Sequence, residues 1–180
     1  MKKPLHDDME LYFSLVEGKI SALTNEHLSG LIDIANQSVK RGSSSRLLVF
    51  DKSLVFEDWV RWWLERIVNN EPIGELTEEL NERIRGIRFI RLINHDEHGE
   101  PEWENIAVMA PGTPTDIKAA HAVSLFVVSG YLKKLRRCQA DGCELLFLGP
   151  ANGKWCSENC GSRMRGRRLR KKNRRQRYTT

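Results

Sequence analysis

The sequence predicts a mainly α fold: a helical N-terminal domain with a small β-hairpin, followed by a short four-cysteine module and a basic C-terminal helix. Three observations lead to this prediction. Apolar residues recur at helical spacing over most of the first 135 residues, all four cysteines lie between residues 138 and 160, and charge is divided unevenly along the chain. The predicted domains are residues 1–135 and 136–180.

The formal net charge of +5 over 180 residues hides two opposite regions. Residues 1–130 hold 14 Lys and Arg against 21 Asp and Glu, a net −7, whereas residues 131–180 hold 15 against 3, a net +12. The apolar runs are far shorter than the roughly 18 residues that cross a bilayer, and no cleavable apolar segment follows Met1. We therefore expect a cytoplasmic protein without a membrane partner.

Three helices are predicted in the first half of the chain. Thr24 or Asn25 can cap the first helix, and Gly42 can end it. The second helix should stop before Pro72, because the residue before a proline avoids the helical region. The apolar series that predict these helices are Leu28 to Val39, Val60 to Val68 and Leu76 to Ile84.

A small hairpin is predicted next. Ile87 to Ile93 and Trp103 to Met109 are rich in β-branched and aromatic residues, and a polar turn separates them. His95 and His98 have metal-like spacing, but they belong to this exposed turn, so no metal is assigned to them.

The clearest helix start in the chain follows the hairpin. Thr113 is predicted as N-cap, with Pro114 at the first helical position and Asp116 in the first turn. The apolar series then carries this helix to Leu135. His121 is expected to be a partly buried core residue, because no nucleophile or carboxylate can be assigned to it. No phosphate-binding loop or dinucleotide fingerprint is present, so an enzyme is not expected.

The cysteines form two close pairs. Cys138 and Cys143 enclose four residues, Cys156 and Cys160 enclose three, and 12 residues separate the pairs. Thiolates favour Zn2+, which takes four ligands tetrahedrally and then has no open position for water. We therefore predict one structural Zn2+ bound by all four cysteines. Three disulfide connectivities are the alternative, but they need an oxidising compartment, and a redox site would favour Cys-x-x-Cys.

The segments between and after the pairs predict a treble-clef-like finger. Leu145 to Leu148 is a short apolar strand, residues 149–153 form a turn, and Lys154 with Trp155 can start the return strand. The last cysteine pair overlaps the start of a helix that carries the final ligands, with Ser157 as its candidate cap.

Two regions of the sequence resemble known protein families. The module resembles the bacterial CGNR zinc finger, named for a Cys-Gly-Asn-Arg motif, although Ser162 replaces the asparagine and the second cysteine pair encloses three residues where four are common. Upstream, Glu71-Pro72, Leu80-Asn81, Gly99 and Trp103 resemble the ABATE domain. The resemblance implies a stress-induced transcription regulator. The finger residues that carry it are Arg137-Cys138, Cys143, Leu146-Phe147, Trp155-Cys156-Ser157 and Cys160-Gly161-Ser162-Arg163.

The C-terminal tail is strongly basic. Ten basic residues and no acidic ones lie between residues 163 and 177, and on a helix they surround the axis, so the segment must stay solvated or meet a polyanion. Double-stranded DNA is the expected partner; structured RNA, including ribosomal RNA, an acidic protein partner and a plain solubility tail are the alternatives. The predicted nucleic-acid-binding residues are Lys154, Arg163, Arg165, Arg167, Arg168, Arg170, Lys171, Lys172, Arg174 and Arg175.

The tail also predicts how binding should behave. If about six basic side chains contact DNA, log affinity should fall against log salt with a slope near roughly −5. One module of about 40 residues binds weakly alone, so we expect a homodimer through the helical domain. The sequence does not select among six residues that could touch base edges: Asn152, Lys154, Asn159, Ser162, Asn173 and Gln176.

Overall fold

A computed structural model describes residues 25–40, 55–95 and 98–177 of the chain. The chain divides into two compact units between Leu132 and Lys133. The mainly α prediction is confirmed, since the described residues form five α-helices and two small antiparallel hairpins. In order, the elements are α1 (Asn25–Lys40), α2 (Phe56–Val68), α3 (Ile73–Ile84), β1 (Arg88–His95), β2 (Pro101–Val108), α4 (Thr115–Val128), a 3-10 turn (Leu132–Lys134), β3 (Leu135–Arg137), β4 (Leu146–Leu148) and α5 (Glu158–Arg177).

The helical unit is built around α2. This helix packs against both α1 and α4, and α3 packs against α4. Spacing of three and four residues places the apolar side chains on one side of each helix, so the three predicted series become the core. Its largest fully buried side chains are Trp63, Phe126, Leu28, Leu31, Ile34, Leu64, Leu76, Val60 and Val123.

The structure describes the predicted end of the second helix but not the ends of the first. The helix α1 spans Asn25–Lys40, where the described residues themselves start and stop, so the caps predicted at Thr24 or Asn25 and at Gly42 stay predictions. α2 ends at Val68, four residues before Pro72. None of the described helices combines the length and apolar character that crossing a membrane requires.

The predicted hairpin is confirmed as β1 and β2. The strands are antiparallel, with Phe89 opposite Ala107 and Ile93 opposite Trp103. Ile93 and Trp103 are 64% and 62% exposed, and the guanidinium of Arg91 lies 5.6 Å from the centroid of the Trp103 ring. The hairpin therefore presents apolar side chains to solvent in the described part of the unit.

The helix after the hairpin differs from its prediction at both ends. Thr113 does not cap it, because its hydroxyl donates to the Ala110 carbonyl at 2.8 Å, and α4 begins at Thr115 after Pro114. The helix ends at Val128, not Leu135, because Gly130 adopts a φ of +78° that turns the chain out of the helix.

His121 lies in the middle of α4. It is 3% exposed, so the prediction of a core histidine is confirmed. Burial lowers the pKa of its imidazole below the ordinary value, because the charged form loses its hydration. Its ring centroid is 5.9 Å from that of Phe89 on β1, and this packing is typical of a structural role.

Candidate metal centre

The first cysteine pair lies in the loop that joins β3 to β4. The amide of Cys138 donates to the Leu145 carbonyl at 2.9 Å as the strands meet the loop. The amide of Cys143 donates to the Ala140 carbonyl at 2.8 Å, closing a tight turn at Asp141 and Gly142. Both thiols are therefore carried on backbone fixed at the tip of a hairpin.

This hairpin corrects one prediction. The strand predicted from Leu145 to Leu148 was expected to pair with a return strand starting at Lys154 and Trp155. Instead β4 pairs with β3, with Leu135 opposite Leu148 and Arg137 opposite Leu146. The Lys154 carbonyl instead accepts a hydrogen bond from the amide of Gln139 at 2.9 Å, which ties the later loop to the cysteine turn. The strand β4 thus pairs with the segment that precedes the cysteines. This pairing places the loop that carries Cys138 and Cys143 at the tip of the hairpin.

The second pair lies at the start of α5. Cys156 precedes the helix, and Cys160 lies in its first turn. The hydroxyl of Ser157 accepts a hydrogen bond from the Cys160 amide at 3.3 Å, so the predicted cap is confirmed. This bond satisfies one of the free amides of the first turn and fixes the Cys160 side chain relative to Cys156.

The four sulfur atoms lie together. Every pair of Sγ atoms from Cys138, Cys143, Cys156 and Cys160 is within 4.8 Å, and the Cys143–Cys156 and Cys156–Cys160 separations are both 3.7 Å. A tetrahedral zinc with Zn–S bonds of about 2.3 Å spaces its sulfurs about 3.8 Å apart. The separations also exclude disulfides, whose S–S length is about 2.05 Å. The prediction of one structural zinc site is confirmed by this donor set.

Hydrogen bonds and burial shift the pKa values of the cysteine thiols in opposite directions. Burial opposes ionisation of Cys138, but amide donors from Cys156 and Ala140 outweigh it and lower its pKa to about 7. Burial and the neighbouring thiols raise the pKa of Cys156 to about 12, and burial raises the pKa of Cys143. Four thiolates this close require a cation, and a zinc ion held by the four cysteines would supply the positive charge that favours their ionised form.

Residues 134–177 match the CGNR zinc finger family. The match includes all four cysteines and α5, so the resemblance seen in the sequence is confirmed for the finger. No curated protein matches the chain. The match to the family model holds although the second cysteine pair encloses three residues and Ser162 replaces the asparagine. All four cysteine ligands are present at the site.

The glycine of the CGNR motif has a packing role. Gly161 is buried, and a Cβ built at this position would lie 3.0 Å from Cδ1 of the Trp155 indole. The indole therefore packs directly on the helix backbone next to the ligand Cys160. A larger residue here must push Trp155 away or move the helix start.

The arginine of the motif reaches back to the cysteine turn. Arg163 donates to the Asp141 carbonyl at 3.1 Å, and Arg167 pairs with the Asp141 carboxylate. Arg163 and Arg167 are one helical turn apart, so a single turn residue contacts the same side of α5 twice. These two contacts join the cysteine turn to the first turns of α5.

The cysteine spacing and the charge pattern of the sequence do not predict the part played by Asp141. It is one of three acidic residues between residues 131 and 180, and a carboxylate between two predicted zinc ligands of a basic module is the signal that could have drawn attention to it. Arg165 has a different role from its neighbours, because its guanidinium donates to the Ser162 hydroxyl at 2.9 Å. Ser162 thus forms a local hydrogen bond at the position where the motif has asparagine.

The remaining predicted nucleic-acid-binding residues are spread along the finger. Lys154 lies in the loop before the second cysteine pair and is exposed. Lys172 and Arg175 occupy helical positions, and their side chains lie outside what the structure describes. The exposed basic residues of α5 are Arg163, Arg165, Arg167, Arg168, Arg170, Lys171 and Arg174.

Proposed function

We propose that this protein is a cytoplasmic transcription regulator that binds double-stranded DNA through α5 and acts by binding, without catalysis. The observation that carries the proposal is the presence of ten basic residues and no acidic ones between residues 163 and 177, on one continuous helix that begins at a metal centre. A polycation held in a fixed shape is suited to a polyanion of regular shape.

The dimensions of α5 fit a DNA groove. Its 20 residues span about 30 Å at 1.5 Å per residue, close to one turn of duplex DNA. An α-helix is about 10–12 Å wide, and the major groove is about 12 Å wide. Arginines distributed around the axis then meet phosphates on both walls of the groove, and arginine binds phosphate with two parallel hydrogen bonds.

The metal centre supports the proposal by fixing the base of the helix. Cys160 is a zinc ligand within the first turn of α5, and Arg163 and Arg167 hold the next turns against Asp141. A helix fixed in this way loses less conformational freedom on binding than a loose tail.

A salt series with three probes tests this function. Fluorescence anisotropy would follow the binding of zinc-loaded protein to a mixed-sequence DNA duplex, an RNA hairpin and poly-glutamate. We expect duplex binding whose log affinity falls with log salt at a slope near roughly −5. Tighter binding of the RNA or of the acidic polymer at equal salt would replace the DNA proposal, and no salt-dependent binding of the duplex at near-physiological ionic strength would end it.

A matched pair of variants locates the contact. Replacing Arg168, Arg170 and Arg174 by Gln removes three charges from α5 and should reduce the magnitude of the slope by about 2 to 3. The control removes three charges from the helical unit, by substitution of Arg85, Arg88 and Lys118 with Gln, and should leave the slope unchanged. Equal effects of the two variants would show that only net charge matters.

The proposal includes an ABATE-like role for the helical unit in a stress response and its association as a homodimer. A single small finger binds DNA weakly, and two copies would double the contact. The exposed apolar side chains of Ile93 and Trp103 on the hairpin support a surface that a second copy covers. Sedimentation equilibrium of the wild type and of Ile93→Lys tests this part: we expect a dimer that the substitution dissociates, and a wild-type monomer at all concentrations contradicts it.

A further inference from the structure

The basic helix α5 carries one stripe of uncharged residues. Ser162, Leu169, Asn173 and Gln176 are separated by seven, four and three positions. At about 100° per residue they fall within an arc of about 60° around the helix axis. All four are exposed, and Leu169 is 60% exposed. An uncharged stripe in a segment where ten of fifteen residues are basic is a distinct surface.

The metal centre determines where this stripe points. Cys160, Gly161 and Met164 are less exposed than Ser162 and Arg163, so they mark the side of α5 that faces the finger. The centre of the stripe lies about 140° around the axis from the mean direction of these three residues. The contacts of Asp141 with Arg163 and Arg167 hold the same inner side. The stripe therefore points away from the finger, where a ligand can reach it.

The side chains of the stripe match the chemistry of base edges. The amides of Asn173 and Gln176 can form paired hydrogen bonds with N6 and N7 of adenine, and Leu169 can contact the methyl group of thymine. Arg165 borders the stripe on one side and Arg170 on the other, which are the positions that phosphates on the two groove walls require. The charged borders provide affinity, and the stripe provides discrimination.

We propose that α5 reads an A·T-containing sequence in the major groove through Leu169, Asn173 and Gln176. This inference rests on the proposed DNA binding and adds the class of sequence and the residues that select it. It also chooses among the six residues that the sequence left equivalent: Asn152, Lys154 and Asn159 are outside the stripe, and Ser162 lies at its start, where it accepts a hydrogen bond from Arg165.

Selection of bound duplexes from a random DNA pool, followed by anisotropy on the selected and a shuffled sequence, tests the proposal. The variants are Asn173→Ala with Gln176→Ala, and Leu169→Ala. None of them changes the charge, so binding of the shuffled duplex and the salt slope should not move. We expect the double variant to lose at least about tenfold of the preference for the selected sequence, and Leu169→Ala to lose preference at a thymine position.

The chain offers a matched control for the double variant. Gln139→Ala with Asn152→Ala removes the same two side-chain types from exposed positions of the finger outside α5, and it should keep the full preference. Zinc content and helical circular dichroism of each variant establish that the finger is intact. Selected sequences without adenine or thymine enrichment, or an undiminished preference in the double variant, would overturn the inference while leaving DNA binding in place. Absence of any salt-dependent duplex binding by the wild type would overturn the proposed function first.

Discussion

The helical unit and the finger differ in what holds them together. Nine of the ten largest fully buried side chains of the described residues belong to the helical unit, and the finger contributes one, Leu146. The finger instead brings four thiols within 4.8 Å of one another. A unit of this size cannot bury enough apolar surface to offset the entropy of folding, so metal coordination replaces the missing core. The same chain thus contains one unit stabilised by packing and one stabilised by zinc.

Removal of zinc should separate the two units most clearly. Chelation should unfold the finger, because structural zinc in fingers contributes on the order of 10–16 kcal/mol of apparent binding free energy, and should leave the helical unit folded. Two-dimensional 1H–15N NMR measures this: signals of residues 133–177 should move to unfolded positions, and those of α2 and α4 should remain.

Two observations check that result. Addition of zinc after chelation should restore the finger signals, which excludes damage by the chelator. A finger that keeps its dispersed signals without metal would contradict the structural role of the site.

A core substitution should produce the opposite outcome. Trp63 is 1% exposed in the centre of the helical unit. Trp63→Ala should lower the free energy of unfolding of that unit by about 3–5 kcal/mol, because it removes a buried ring and leaves a cavity. Urea denaturation followed by circular dichroism measures the loss, and zinc content should stay at one ion per chain. Zinc loss from this variant in buffer without denaturant would show that the finger depends on the helical core.

The smallest effect is expected at two glycines of α5. Gly161→Ala should cost about 1 kcal/mol, or about fivefold in zinc affinity, because the new Cβ would lie 3.0 Å from Trp155 beside the ligand Cys160. Gly166→Ala is the matched control: its Cβ would meet nothing closer than 3.5 Å, and alanine should stabilise the helix by about 0.5–1 kcal/mol. Competition with a chromophoric chelator measures the zinc affinity of both variants. A zinc affinity of Gly161→Ala equal to that of Gly166→Ala would mean that the Trp155 ring moves aside without a measurable loss of free energy.

The sequence was sufficient to predict the local features of both units. The cysteine spacing was sufficient for the zinc site, since four thiols and no spare cysteine leave few arrangements. The apolar series were sufficient for α1, α2 and α3, because the apolar face of each helix is formed by residues three and four positions apart in the sequence. Local patterns of this kind identify ligands and helices.

Contacts between distant segments were not predicted. The helix α4 was extended to Leu135 because Leu132 and Leu135 continue its apolar spacing, but Leu135 belongs to β3, where it pairs with Leu148. The threonine cap failed because the hydroxyl of Thr113 had the Ala110 carbonyl within reach. The pairing of β3 with β4 and the contacts of Asp141 with Arg163 and Arg167 join separate segments of the chain. The spacing of residues along the chain does not specify which segments meet.

The formation of α5 depends on its capped first turn. Starting a helix is the costly step, since three residues must be ordered for one hydrogen bond, and repulsion among neighbouring arginines makes it costlier. Ser157 and the ligand Cys160 order this turn at the metal centre. Zinc would then act as the nucleus from which the arginine helix extends, so metal supply to the cell would control whether the proposed DNA-reading surface forms about 20 Å beyond the ion.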